Sequence, residues 1–367
     1  MTADLPFHLL DPNLPVAERP ARLQLLAKWS PPRALSSHAV AAASFVPGDD
    51  LVTAINVALR LGAPLLLTGE PGTGKTQAAH YVARYFGLEP DEGFFQVDIR
   101  STSTAEELLY HFDQVAYFRS AYEAREGGAK KTPADFVVKG ALWRALERRA
   151  PTVVLIDEID KAPRDLPNDL LWELDRGHFE ITEIGPTDTP PYPTELRRRM
   201  LSKKPRPLII ITSNVERQLP DAFLRRCVFF HIPFPAWPEE VEKQGGRADS
   251  LENILRGRLG SKLAAAEKQH PGFVAGALRV LHALRTDVKL TKKPATAELL
   301  HFVRGLLEQG DDPEARTERE AQLAQIAQLA RLAKQKIDLR EVPGLFCLVK
   351  LHEDLAKLGL VEDAGRA

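Results

Sequence analysis

The sequence predicts an α/β chain in which a parallel sheet covered by helices is followed by an all-helical domain. Three observations carry this expectation. Five short apolar runs recur with helical patterns between them: Leu65–Thr68, Phe94–Asp98, Thr152–Asp157, Pro207–Ser213 and Cys227–Ile232. Such alternation builds a parallel sheet with helices on its faces. The run TVVLID is nearly all apolar, as a strand buried on both faces should be. After Pro238 the runs stop, and apolar residues recur only at helical spacing.

The 367 residues suit two or three domains. Residues 1–40, rich in Pro and Ala, read as an N-terminal arm. Residues 41–237 hold the sheet, 238–310 form a helical lid, and 311–367 a helical extension beyond the break Asp311-Asp312-Pro313. Pro47-Gly48 turns the chain into a first helix, where Val52, Ile55, Val57 and Leu59 supply apolar contacts. A helix over Lys75–Phe86 places Ala78, Ala79, Val82, Ala83 and Phe86 on one face. Residues 104–150 read as helical around a polar middle, REGGAKKTP. Leu166, Leu170, Leu171 and Leu174 give the next helix, and His178–Thr182 a short strand or hairpin arm. Beyond Pro238 the helices are marked by Leu251, Ile254, Leu255 and Leu259, by Val274–Leu284, and by Ala297–Leu307. Leu323, Ile326 and Leu329 mark another, and Leu348, Leu351, Leu355 and Leu358 the last.

A net charge of −1 argues against an electrostatic nucleic-acid binder. Cys227 and Cys347 stand far apart in no metal or redox spacing, which suits buried thiols of a reducing compartment. The start has no basic region before an apolar run, and no stretch approaches the ~18 apolar residues of a membrane span. A cytoplasmic protein without membrane contact is expected.

The first apolar run leads straight into Gly69-Glu70-Pro71-Gly72-Thr73-Gly74-Lys75-Thr76. This is G-x-x-x-x-G-K-[ST], a phosphate-binding loop, placed between a strand and a helix as its chemistry requires. Its glycines let successive backbone N–H groups turn inward around an anion, and the next helix points its positive end at the same place. Lys75 adds a charge for the β- and γ-phosphates, and Thr76 a hydroxyl for Mg²⁺. In VVLIDEID an apolar strand ends in Asp157-Glu158. The first acid suits a metal held through water, and the second a base for the attacking water; the bland alternative is two ordinary surface acids. The fourth run ends in Asn214, whose amide suits the water or the γ-phosphate, or else a helix N-cap. Arg225 and Arg226 close LPDAFLRRC, either as a solvated face or as a guanidinium for a neighbour's γ-phosphate.

Taken in order, GEPGTGKT, VVLIDEID, ITSN and LPDAFLRRC, followed by a helical lid, resemble an AAA+ ATPase. SFVP before a helix, ALRLGAPLLLTGEPGTGKT and DEIDKAP resemble the MoxR type, in the helix-2-insert branch of P-loop ATPases. The resemblance implies a five-stranded αβα domain with strand order 5-1-4-3-2, and a ring, commonly a hexamer, with ATP at subunit interfaces. It places adenine near Phe45 and Val46, the acid pair at Asp157 and Glu158, the sensor at Asn214, and the arginine finger at Arg226 with Arg225 beside it. It implies an insert within 99–140, where GGAKK (Gly127 to Lys131) suits either a pore- or partner-facing loop or a plain surface loop. It also implies a protein partner, such as a von Willebrand A-type protein. One departure stands in the lid. The family pattern Ser-Pro-Arg-Ala is replaced by Thr291-Lys292-Lys293-Pro294-Ala295-Thr296, so Lys293, or Lys292, supplies the charge facing the γ-phosphate. The rival reading is a nucleic-acid motor or loader using the basic segment 197–206 (Arg197, Arg198, Arg199, Lys203, Lys204, Arg206). A solvated hairpin is the plainer use of that segment.

Overall fold

The computed structural model describes residues 45, 47–125, 131–148, 150–176, 178–184, 198–200, 207–214, 216–237, 250–308, 313–331 and 337–361. The expected arm, Val46, Gly127–Lys130, Arg197, Lys203, Lys204 and Arg206 lie outside them. The chain divides into two compact units. One is Pro47–Glu70 with Gly74–Pro233; the other is Phe234–Ala367 together with Met1–Val46 and Pro71–Thr73.

The first unit is built on a five-stranded sheet of β1 (Leu65–Thr68), β2 (Phe94–Asp98), β5 (Val153–Asp157), β8 (Leu208–Ser213) and β9 (Val228–His231). All its pairings are parallel, and the spatial order is β2-β5-β8-β1-β9. Numbered one to five along the chain, the five strands stand in the order 5-1-4-3-2. The three inner strands are apolar up to their carboxyl ends because both faces are covered: every residue of β1 and β8 is buried, and every residue of β5 but the last. The edge strands β2 and β9 are only partly buried. Register sets the active end. Leu67 lies opposite Thr212, Thr68 opposite both Ser213 and His231, and Asp98 opposite Asp157. Polar residues therefore collect at the carboxyl ends of adjoining strands, where sheets of this kind take their ligands.

Helix α1 (Asp49–Leu61) precedes β1 and ends at Gly62, whose φ of 61° makes a left-handed cap. Its buried face is Leu51, Ala54, Ile55 and Ala58. Of the contacts expected here only Ile55 is buried; Val52, Val57 and Leu59 are exposed. Small alanines, one position round the helix, let the backbone come close to the sheet. Helix α2 (Lys75–Tyr85) buries Ala78, Ala79, Val82 and Ala83 as expected. Phe86 caps its end and is 54% exposed, because the chain has left the helix there.

The long link from β2 to β5 is less helical than its pattern suggests. Between α3 (Ala105–Leu109), α4 (Gln114–Arg125) and α5 (Ala141–Glu147) it contains two three-residue strands, β3 (Tyr110–Phe112) and β4 (Val137–Lys139). They pair antiparallel, Tyr110 opposite Lys139. Gly140 turns β4 into α5 against Leu108, whose carbonyl oxygen would lie 2.5 Å from any Cβ added there. Helix α6 (Leu166–Arg176) is followed by β6 (His178–Glu180), which pairs antiparallel with β7 (Arg198–Met200). Part of the basic segment is thus one arm of a hairpin. A short α7 (Asp221–Leu224) precedes β9.

The second unit holds α8 (Leu251–Gln269, bent at Gly260), α9 (Phe273–Thr286), α10 (Thr296–Leu307), α11 (Pro313–Arg331) and α12 (His352–Lys357). One hydrophobic core runs through it, from Leu251 and Leu281 to Ile326, Leu345 and Val349. Helices α9 and α11 meet at Gly276, where an added Cβ would sit 1.9 Å from the Ile326 carbonyl oxygen. The residues beyond 311 therefore share the core of the helices before them. Among the described residues no helix is long and apolar enough to cross a membrane.

Candidate functional site

The loop Gly69–Thr76 leaves the carboxyl end of β1 and enters α2. Gly72 and Gly74 have φ of 81° and 96°, which only glycine adopts without strain. Lys75 is buried at the start of α2, and its Nζ donates to the carbonyls of Gly69 and Glu70 at 2.9 Å each. Its ammonium thus braces the loop from inside. Burial pushes its pKa down from the ordinary lysine range, while Asp157, Asp160, Glu158 and Glu70 pull the other way.

Thr76 and Asp157, the two expected metal ligands, meet. Thr76 Oγ1 donates to both carboxylate oxygens of Asp157 at 3.1 Å. Burial raises the pKa of Asp157, and hydrogen bonds from Thr212 and Thr76 oppose the rise. One hydroxyl and one carboxylate at a strand end fit Mg²⁺, which keeps several waters and shares its shell with phosphate oxygens.

The next acid is held differently. Glu158 takes φ 60°, ψ 50°, a left-handed conformation unusual for a residue with a side chain. Its N–H donates to Thr212 Oγ1 at 2.9 Å, and the same hydroxyl donates to Asp157 Oδ1. Thr212, buried on β8, therefore joins the two acids. The Glu158 carboxylate forms an ion pair with Lys161 and accepts from Asn214 Nδ2 at 3.3 Å. The hydrogen bond that Lys161 Nζ donates to Glu158 raises the Lys161 pKa. Asn214 caps no described helix, since α7 begins at Asp221 behind Pro220. Its amide faces the Glu158 carboxylate, and its own N–H donates to Asp160 Oδ2 at 3.1 Å. Glu216 N–H reaches the same oxygen at 3.0 Å. Asp160 is buried, and its other oxygen has no hydrogen-bond partner among the described residues.

Thr212 and Asp160 were not singled out by the sequence. The available signal was a hydroxyl inside an otherwise apolar strand, and a third acid in DEID that folds inward. Arg225 and Arg226 follow α7 on an exposed face, and Arg226 Nη1 donates to the Ala222 carbonyl at 2.9 Å. No described contact ties them to the hydrogen-bonded cluster above. Phe45 is half-buried, whereas Val46 lies outside the described residues. In the second unit Lys292 and Lys293 are exposed on the loop before α10. Pro294 lies just before the Ala295 cap of α10.

Over residues 64–227 the chain matches the family model of the AAA domain, dynein-related subfamily. Residues 64–227 are thus similar to an AAA domain. The AAA match begins just before β1 and ends at Cys227, so it encloses the loop, both acids, Asn214 and the two arginines. The chain is 30% identical over 199 residues to chaperone protein ClpB of Enterococcus faecalis, covering 54% of this chain and 18% of that protein. It is 31% identical over 154 residues to the chloroplastic chaperone protein ClpD of Arabidopsis thaliana, covering 42% and 13%. The chain thus spans less than a fifth of the length of either relative. Among solved structures, NtrX from Brucella abortus in complex with ATP aligns at a TM-score of 0.44 and 19% identity, over 94% of this chain and 74% of that one. The parallel five-stranded sheet and its loop define the fold.

Proposed function

We propose that the chain hydrolyses ATP with Mg²⁺ and uses the cycle to remodel or activate a protein partner, as a ring-forming ATPase of the MoxR type. One observation carries the catalytic part. An unbroken path of hydrogen bonds runs from Thr76 through Asp157 and Thr212 to Glu158 and Asn214. It ties the phosphate loop to a metal ligand, a base and a polar sensor at adjoining strand ends. In this reading the loop's N–H groups and Lys75 bind the β- and γ-phosphates, with Phe45 and Val46 beside the adenine. Thr76 and Asp157 hold Mg²⁺, which neutralises charge on the phosphate oxygens. Asn214 orients the attacking water, and Glu158 takes its proton once its carboxylate is released from Lys161. Arg226, with Arg225 beside it, reaches a neighbouring subunit's nucleotide, which suits its exposed position and implies a closed ring, commonly of six. Lys293, or Lys292, faces the γ-phosphate from the lid.

The chaperone names of the Clp relatives support a protein as the object of the work. The MoxR-type motifs suggest a von Willebrand A-type partner. The test is phosphate release measured with nucleotide affinity and molar mass. Lys75→Ala is expected to abolish nucleotide binding, and unchanged ATP affinity would remove the loop from the reading. Glu158→Gln is expected to bind ATP while turnover falls at least about 100-fold; near-normal turnover would mean another base acts. Specific activity rising with protein concentration, alongside a ring-sized mass in ATP, supports shared sites. A monomer active at every dilution refutes the ring.

A further inference from the structure

The loop that presents Lys292 and Lys293 joins α9 to α10 and is fastened at both ends. At its start stands Asp354, from α12 near the end of the chain. Asp354 is fully buried. Its Oδ1 accepts the Thr291 N–H at 2.8 Å, and its Oδ2 accepts the Lys292 N–H at 3.0 Å. Lys357 Nζ donates to Asp354 Oδ1 at 2.8 Å and to Thr291 Oγ1 at 2.8 Å. At the loop's far end Arg285 Nη1 donates to the Pro294 carbonyl at 2.8 Å, with its guanidinium 3.7 Å above the Phe234 ring. Between the two anchors, the Lys292 and Lys293 side chains are exposed while Pro294 and Ala295 are buried.

A buried carboxylate is costly unless charge and donors surround it. Here the ammonium of Lys357 and two backbone N–H groups do so. Burial alone would push the carboxyl up; those three donors outweigh it and hold the pKa near 2. An apolar residue could fill the same volume, but it could not fix the direction of two consecutive N–H groups. Fixing those groups fixes the peptide planes on either side of Thr291, from the second of which Lys292 leaves the backbone, while Arg285 holds the Pro294 end beyond Lys293. That matters more for lysine than for arginine. A lysine is a point donor on a flexible stem, with no planar fork to organise its own approach.

We propose that Asp354 is a positioning residue for ATP hydrolysis, holding the Thr291–Lys292 backbone so that the lysine pair meets the γ-phosphate. The inference rests on the reading of that pair as the lid's charge toward the γ-phosphate. It gives the segment beyond residue 311 a part in nucleotide sensing.

The test compares equilibrium affinities for ATP and ADP, with Mg²⁺, in the full chain carrying Glu158→Gln so that ATP persists. Asp354→Asn, Lys357→Met and the double change Lys292→Ala/Lys293→Ala are made on that background. The lysine changes are expected to lower the ATP-over-ADP preference about tenfold, the scale of one charge-assisted bond. Asp354→Asn is expected to lower it by a similar factor with ADP affinity within about twofold, and to add little when combined with the lysine changes. Lys357→Met removes one donor, leaves the carboxylate, and is expected to move the preference the same way by less. It serves if Asp354→Asn does not fold. If the lysine changes lower the preference while the Asp354 and Lys357 variants keep it, Asp354 is a structural cap only and the proposal fails. If the lysine changes themselves leave the preference intact, the reading of the lysines fails, and the ground of the proposal with it.

Discussion

Thr212→Val is the most discriminating change at the acid pair, because it keeps shape and removes a single hydroxyl. That hydroxyl accepts the Glu158 N–H at 2.9 Å and donates to Asp157. Leaving a partly buried N–H without its acceptor costs about 1–3 kcal/mol. Glu158 sits at φ 60°, a conformation that costs a residue with a side chain roughly 1–2 kcal/mol. The bond and the backbone strain are therefore of similar size. Without the bond, Glu158 is predicted to relax out of the left-handed region and carry its carboxylate away from Asn214. A general base contributes roughly 10²–10⁴-fold to rate. On the role proposed for Glu158, its displacement should cost part of that, about 30- to 100-fold in kcat. Global stability should fall by about 2 kcal/mol. Thr212 makes no described hydrogen bond to the phosphate loop, so nucleotide affinity in EDTA should change by less than about threefold. Thr212→Ser keeps the hydroxyl and should restore kcat. The assays are phosphate release at saturating Mg-ATP, binding of a fluorescent nucleotide, and urea unfolding. The reasoning is refuted if Thr212→Val loses stability but keeps kcat within about threefold of the parent. It is equally refuted if Thr212→Ser is as slow as Thr212→Val.

Three further outcomes are expected. Arg226→Ala should retain nucleotide affinity and lose turnover, and mixing it with Lys75→Ala protein should recover part of the activity; no recovery at any ratio would place the arginine's action within its own subunit. Gly276→Ala should destabilise the helical unit by about 3 kcal/mol, since the clash is with backbone and cannot be relieved by a rotamer; a melting temperature equal to the parent's would show that α9 and α11 can separate at no cost. The stability lost in Asp354→Asn should depend on pH. The folded pKa of Asp354, near 2, lies below the roughly 3.9 of a free aspartate, so its stabilisation is full above about pH 4 and fades as pH falls toward 2. Unfolding of both proteins from pH 2 to 6 measures this, and a gap that stays constant across that range would be incompatible with a charged Asp354.

What the sequence made legible is the chemistry that needs neighbours in the chain. Gly69 through Thr76 must be contiguous to wrap a phosphate, and Asp157 must end an apolar strand to stand at the sheet's edge; both requirements leave a local pattern. Thr212 and Asp160 leave only a faint one, a hydroxyl in an apolar strand and a third acid beyond it, because their partners are brought to them by the fold. The parallel pairing of Ile156 with Ile211 sets Thr212 beside Asp157, and no spacing within LIIITS announces it. The strands β3 and β4 were missed for a related reason. Three residues are too few to display a period of two, and the helices on either side dominate any window that contains them. The error on α1 has another origin. Val52, Val57 and Leu59 are more hydrophobic than Ala54 and Ala58, so a reading by hydrophobicity favours them, yet burial on a sheet rewards a close backbone as well as an apolar side chain. The α1 face that packs is the one with alanines. Asp354 joins both difficulties: it is a charge in a helical stretch, so it reads as surface, and the loop it anchors lies some sixty residues earlier in the chain. A buried carboxylate becomes visible only when its donors arrive with it, and those donors come from folding.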